Sequence, residues 1–406
     1  MSRPACTWWA VAPASAFLRT PSAKLVCPLL AALVGCLGTG TAVAQMVPGA
    51  GVQLYGALDI ALTSTNRGNG QRVTALTPGV QHASYWGVRG SEDIGHGQHI
   101  LFQLEQGLEL DSGNARSYAA DPASATPTAV KGQQRTGFNR RSHVGWHSNS
   151  WGTLLLGRDY TPMSNVGLAL DVMHAGSYGN LQSLIQLAGG TEGFGRISDG
   201  VFYTPPLLGG WRWHATYGLP RQPEADATGV RPPKDSNTFH GLGVQYTQGA
   251  WLWGGVYQTL QAPATRGQPA TWTGQTQQRE DVLLGVRYTS PRWSWSTGGY
   301  QARAHTTQRN LWLGATWQLN PASRITTQVQ RLHADNASGG LPQQATVWGV
   351  NYLHQLSKRT ALFATYGRTY NDDRSSFWLF GGDMAVLPTA AGQQPRALGL
   401  GVSHRF

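Results

Sequence analysis

Residues 98–110 set apolar and polar side chains on opposite faces of an extended chain. Ile100, Phe102, Leu104, Leu108 and Leu110 share one face, and His99, Gln103, Glu105 and Glu109 share the other, with Leu101 and Gln106 out of step. Successive side chains of a strand point to opposite faces. A strand in a soluble core has no place for two glutamates and a histidine on one face. A strand with lipid on one side and water on the other does. Val52, Leu54, Leu58, Ile60 and Leu62 alternate in the same way with Gln53, Tyr55, Asp59 and Thr63. Near the end, Leu398, Leu400, Val402, His404 and Phe406 alternate with Gly399, Gly401, Ser403 and Arg405.

Beyond the N-terminal region no stretch reaches the ~18 consecutive apolar residues of a helical membrane span. A chain that crosses a bilayer without such helices must close into a barrel, because unpaired backbone groups are too costly in hydrocarbon. Composition fits: 13% of residues are charged, against roughly 25% in soluble domains.

Short polar turns interleave with long connections. The turns are 91–97, 148–152, 205–210, 248–250, 290–292, 320–323 and 357–359. The long connections are 66–81, 111–137, 160–195, 219–236, 259–279, 336–344 and 371–395, with one short connection near 305–307. This pattern predicts an all-β fold, a transmembrane antiparallel barrel of about 16 strands with unequal ends. Trp211-x-Trp213, Trp251-x-Trp253 and Trp293-x-Trp295 each follow a short turn. They predict an aromatic girdle at the lipid boundary.

The N-terminus reads as an export signal. Arg3, Arg19 and Lys24 precede or open an apolar run over about 25–37, and Ala42-Val43-Ala44 supplies a small-x-small cleavage site before Gln45. The expected division is a signal peptide over 1–44 and a barrel over 45–406. A lipoprotein-like box, Leu33-Val34-Gly35-Cys36, offers lipidation at Cys36 as the alternative. Cys6, Cys27 and Cys36 all lie in this segment, so the mature chain is expected to hold neither a disulfide nor a cysteine metal site.

The net charge is +11, and removing Arg3, Arg19 and Lys24 leaves +8 on the mature chain. Its basic residues are mostly arginine and are dispersed, which argues against nucleic-acid binding. They suit an arginine-lined pore that favours anions. His143 and His147 have the spacing of a helical zinc motif, but Val144 stands where that motif needs Glu. Neither a nucleophile elbow nor a phosphate loop is present. The sequence implies no enzyme, no metal and no cofactor. The function classes left are a diffusion pore, general or selective for small sugars or organic acids, and a barrel that acts as an adhesin or structural protein.

Four stretches, Val52-Gln53-Leu54-Tyr55-Gly56-Ala57-Leu58-Asp59, residues 86–95 (WGVRGSEDIG), residues 102–107 (FQLEQG) and residues 156–162 (LGRDYTP), together with the ending Gly401-Val402-Ser403-His404-Arg405-Phe406, resemble the trimeric general porins of Gram-negative bacteria. The resemblance spans essentially the whole mature chain. It implies a homotrimer of 16-stranded barrels in the outer membrane, contacting lipid and lipopolysaccharide. It implies diffusion of small anions and hydrophilic solutes. It also implies that the third long loop, here 160–195, folds into the lumen and that the barrel assembly machinery reads the terminal Phe406.

In that family a wall of arginines faces the third loop. Arg196 and Arg140 match it. Alternation from Val144 and Trp146 turns Arg141 inward instead of Arg140, so both are retained. Arg89 faces inward on the strand of Tyr85, lower in the pore. Tyr85 stands where the family often has Arg, which weakens the wall and offers an aromatic surface to sugars or aromatic acids. Asp171 and Glu192 are the loop's carboxylates, and Glu105 and Asp59 face the same lumen.

Overall fold

The computed structural model describes residues 51–116, 137–185, 195–220, 238–263, 276–304, 306–335 and 340–406. The expected signal peptide lies outside them. Sixteen strands run in chain order. They are β1 (Val52–Asn66), β2 (Arg72–Pro78, resumed at Tyr85–Gly95), β3 (Gln98–Glu109) and β4 (Arg141–Ser148). Next come β5 (Gly152–Tyr160), β6 (Arg196–Thr204), β7 (Trp211–Gly218) and β8 (Phe239–Gln248). Then come β9 (Trp251–Pro263), β10 (Thr276–Thr289), β11 (Trp293–Arg303) and β12 (Thr307–Asn320). The last are β13 (Ser323–Ala334), β14 (Gln343–Gln355), β15 (Thr360–Asn371) and β16 (Arg396–Arg405). Each pairs antiparallel with its neighbours, and β16 pairs with β1 from Ala57↔Arg405 to Asn66↔Arg396, closing the barrel. Closure removes every free edge, the condition for crossing a bilayer with strands. Among the described residues no helix is long and apolar enough to cross.

The alternation seen in sequence is the barrel's inside and outside. Leu54, Leu62, Val144, Leu156, Leu311 and Leu400 stand exposed on the outer face, while Asp59, Gln103, Glu105, Gln328 and Asn351 are buried within. Trp211, Trp213, Tyr246, Trp253, Trp251, Tyr288 and Trp295 form a chain of ring contacts 4.5–6.0 Å apart where the order steps from one strand to the next. Trp293 stacks on Trp317 at 5.4 Å. These rings form the girdle expected of the tryptophan repeat.

One expected loop is different. Part of 66–81 is strand: Arg72–Pro78 pairs with β1 from Ile60↔Pro78 to Asn66↔Arg72. The irregular part is Gly79–Ser84, where six residues stand against Leu58 and Asp59 before pairing resumes at Ala57↔Tyr85. Asp59 is fully buried beneath it, and its carboxylate accepts the Gln81 amide at 3.0 Å. The Ser84 hydroxyl donates to the Asp59 carbonyl at 3.0 Å.

The described part of the 160–195 loop, residues 160–185, folds into the lumen. Thr161 caps helix α1 (Pro162–Leu170), with Pro162 in its first turn, a favoured way to start a helix. Val166 and Leu170 are fully buried against the inner faces of β8, β9 and β10, where the facing residues are glycines. A Cβ on Gly254 would lie 2.7 Å from Val166 Cγ1. Farther along, Tyr178 lies over Gly349 and Gly367, and a Cβ on Gly349 would run into the Tyr178 carbonyl. Missing side chains let the loop backbone lie flat on the wall.

Candidate pore constriction

Across the lumen from that seam, β1 to β6 bring charged and phenolic groups together. Tyr160 is the hub. Its hydroxyl accepts from Arg140 Nη2 at 3.0 Å and Arg196 Nη2 at 2.6 Å. The guanidiniums of Arg141 and Arg196 lie over its ring, 4.7 and 4.3 Å from the centroid. A guanidinium over a phenol face is held by the ring quadrupole.

The cluster extends by direct contacts. Glu105 accepts Arg140 Nε at 2.5 Å and the Tyr55 hydroxyl at 3.0 Å. Arg140 also covers the Tyr85 ring at 4.6 Å. Arg141 pairs with Asp159 at 3.1 Å and donates to Gln103 at 3.0 Å. Arg158 donates to the Asn139 carbonyl at 2.8 Å and to Ser198 Oγ at 3.0 Å. Arg89 lies over Tyr55 at 4.8 Å and joins the group through that ring. Among these guanidiniums, Arg140 is thus paired with Glu105 and Arg141 with Asp159, while Arg158 is held by Ser198 and Arg196 by Tyr160.

Local irregularities make this convergence possible. Arg140 sits in a bend just before β4, so Arg140 and Arg141 reach the same side in succession. The β5–β6 ladder slips between Gly157 and Asp159. Arg158, Asp159 and Tyr160 then all reach the cluster, although strict alternation from Leu156 on the outer face would send Arg158 and Tyr160 to lipid. A bulge re-aims side chains in this way. Sequence alternation could not show it, and Arg158, Asp159 and Tyr160 were not among the expected site residues.

Two expected pore carboxylates stand elsewhere. Asp171 is fully buried and turned into its own loop, where it accepts the amides of Met173 at 3.0 Å, Ala175 at 2.8 Å and Leu181 at 3.2 Å. Burial pushes its carboxyl up, and these amides oppose the shift. A loop packed in a lumen must satisfy its own N–H groups, and Asp171 supplies the acceptor. Asp59 is taken up by the β2 interruption, away from the arginines. Glu192 lies outside the described residues. Phe406 continues β16: its amide and carbonyl exchange hydrogen bonds with Gly56 at 3.1 and 3.2 Å, and its ring covers that glycine.

Residues 30–374 match the family model described as Gram-negative porin. The chain belongs to the Gram-negative porin family. It is an outer-membrane barrel that serves as a channel. The porin is 25% identical over 357 residues to an outer membrane porin protein of Bordetella pertussis, covering 81% of this chain and 83% of that one. It is 25% identical over 397 residues to outer membrane porin protein 32 of Delftia acidovorans, covering 93% and 99%. Among solved structures it superposes on the anion-selective porin from Comamonas acidovorans with a TM-score of 0.71 at 22% identity, covering 87% of this chain and 99% of that one. The trimer form of OmpT of Vibrio cholerae superposes at 0.61 with 14% identity, covering 87% and 99%.

Proposed function

We propose that this porin is an anion-preferring diffusion pore, a homotrimer in the outer membrane, with its constriction between loop 160–195 and the cluster around Tyr160. The observation that carries this reading is the convergence of Arg140, Arg141 and Arg196 on one tyrosine. Fixed positive charge in a narrow channel favours anions. The described part of the opposing loop sets no carboxylate against it, because Asp171 is spent on its own amides. The name of the anion-selective relative agrees in sign.

Tyr85 does not offer a sticking surface on the face that Arg140 covers. This favours passage of small anions and hydrophilic solutes over a sugar-stacking site. The exposed aliphatic and aromatic outer face suits lipid, and the +8 balance suits lipopolysaccharide. The barrel assembly machinery is a further partner in this proposal and recognises the terminal Phe406, whose backbone pairs with Gly56. The test is the reversal potential of the purified protein in a planar bilayer under a salt gradient. The expected sign is anionic, and Arg196→Gln should lower the anion-to-cation ratio. A cation-selective parent would overturn the proposal.

A further inference from the structure

The last long loop also enters the barrel. Leu379–Gly381 and Met384–Val386 pair as a small hairpin. Phe377, Leu379 and Phe380 are buried at its base. One side of the hairpin is fastened to loop 160–195: the Gly179 amide donates to the Phe380 carbonyl at 2.8 Å, and the Phe380 amide donates to Ser183 Oγ at 3.1 Å. The tip is fastened to the β2 interruption, where the Asp383 amide donates to the Gly79 carbonyl at 2.8 Å. Gly382 has φ +57°, and a Cβ there would crowd the Val80 carbonyl at 2.7 Å. The hairpin is therefore positioned by backbone contacts and buried apolar groups, independently of the Asp383 carboxylate.

That carboxylate points at the arginine cluster. Asp383 Oδ2 is 3.5 Å from Arg140 Nη1 and 3.9 Å from Arg116 Nε. Arg116 also donates to the Asp383 carbonyl. We infer that Asp383 is a selectivity-determining residue, a negative charge delivered by the last loop onto Arg140 and Arg116 to moderate the pore's preference for anions. The inference rests on the anion-pore reading. It adds a carboxylate from a distant segment to a cluster otherwise built from β1 to β6. In a narrow, weakly screened lumen one fixed charge changes ion ratios measurably.

The test compares reversal potentials of the parent, Asp383→Asn, Asp383→Glu and Arg116→Gln in one salt gradient. Asp383→Asn should raise the anion-to-cation ratio by about two-fold or more. Asp383→Glu should return it toward the parent, and Arg116→Gln should move it the other way. An unchanged or lowered ratio in Asp383→Asn overturns the inference while the parent still conducts. Should that variant fail to insert, an unchanged or raised ratio in Arg116→Gln overturns it instead. A parent without discrete conductance steps overturns the pore reading itself, and this inference with it.

Discussion

Two arcs of the same barrel treat their inward positions in opposite ways. From β8 to β15 the inner wall shrinks: Gly254, Gly285, Gly314, Gly349 and Gly367 make room for a loop that brings Val166, Leu170, Val172 and Tyr178 against it. From β1 to β6 the wall grows: Tyr55, Tyr85, Arg140, Arg141 and Tyr160 reach across and hold one another. One arc is a dry interface built by deleting side chains. The other is a charged surface built by breaking alternation. The lumen of a barrel is therefore two environments, and a period-two pattern reports only that a residue faces inward.

The contrast gives graded expectations. Tyr178→Ala removes the largest fully buried side chain of the loop. Large-to-small changes of buried aromatics cost about 3–5 kcal/mol. The denaturation midpoint of the detergent-solubilised barrel should fall accordingly, and an unchanged midpoint would show that the dry arc does not hold the loop. Gly349→Ala attacks the same contact from the wall. Overpacking costs about 1–3 kcal/mol, so a smaller drop is expected, accompanied by altered single-channel conductance as the loop is pushed off. Equal stability and conductance would mean that the glycine seam is not a close-approach surface. Tyr160→Phe acts on the other arc and removes the acceptor shared by Arg140 and Arg196. Water can replace that acceptor, so about 1 kcal/mol is at stake. The expected signature is a changed ion ratio with little change in midpoint. A large stability loss with an unaltered ratio would make this arc structural as well.

The strands and turns were legible because lipid demands an apolar residue at every second position, and 98–110 or 52–63 show that demand openly. The interrupted β2 was not legible, since Arg72–Pro78 and the start of the interruption were both read into one long connection, 66–81. Strand alternation suggested Asp59 and loop position suggested Asp171 as pore acids. The need to satisfy nearby backbone amides decided otherwise. Arg140 and Arg141 were legible as a pair, but Arg158 and Tyr160 depend on a ladder slip that no periodicity records. The glycine seam did leave a trace. Gly241, Gly243 and Gly254 interrupt strands otherwise rich in good strand formers, which marks a close backbone approach.

The inward course of the hairpin at 379–386 changes how its residues are expected to vary. Surface loops accept insertions and drift freely. Here Phe377, Leu379 and Phe380 are as enclosed as any core residue, so the segment should resist insertion and hydrophilic replacement. An epitope tag placed at Gly382–Asp383 would be hidden from an antibody outside the cell and would disturb the fold. The same tag at Asn69–Gly70, on the exposed turn between β1 and β2, would be displayed at little cost.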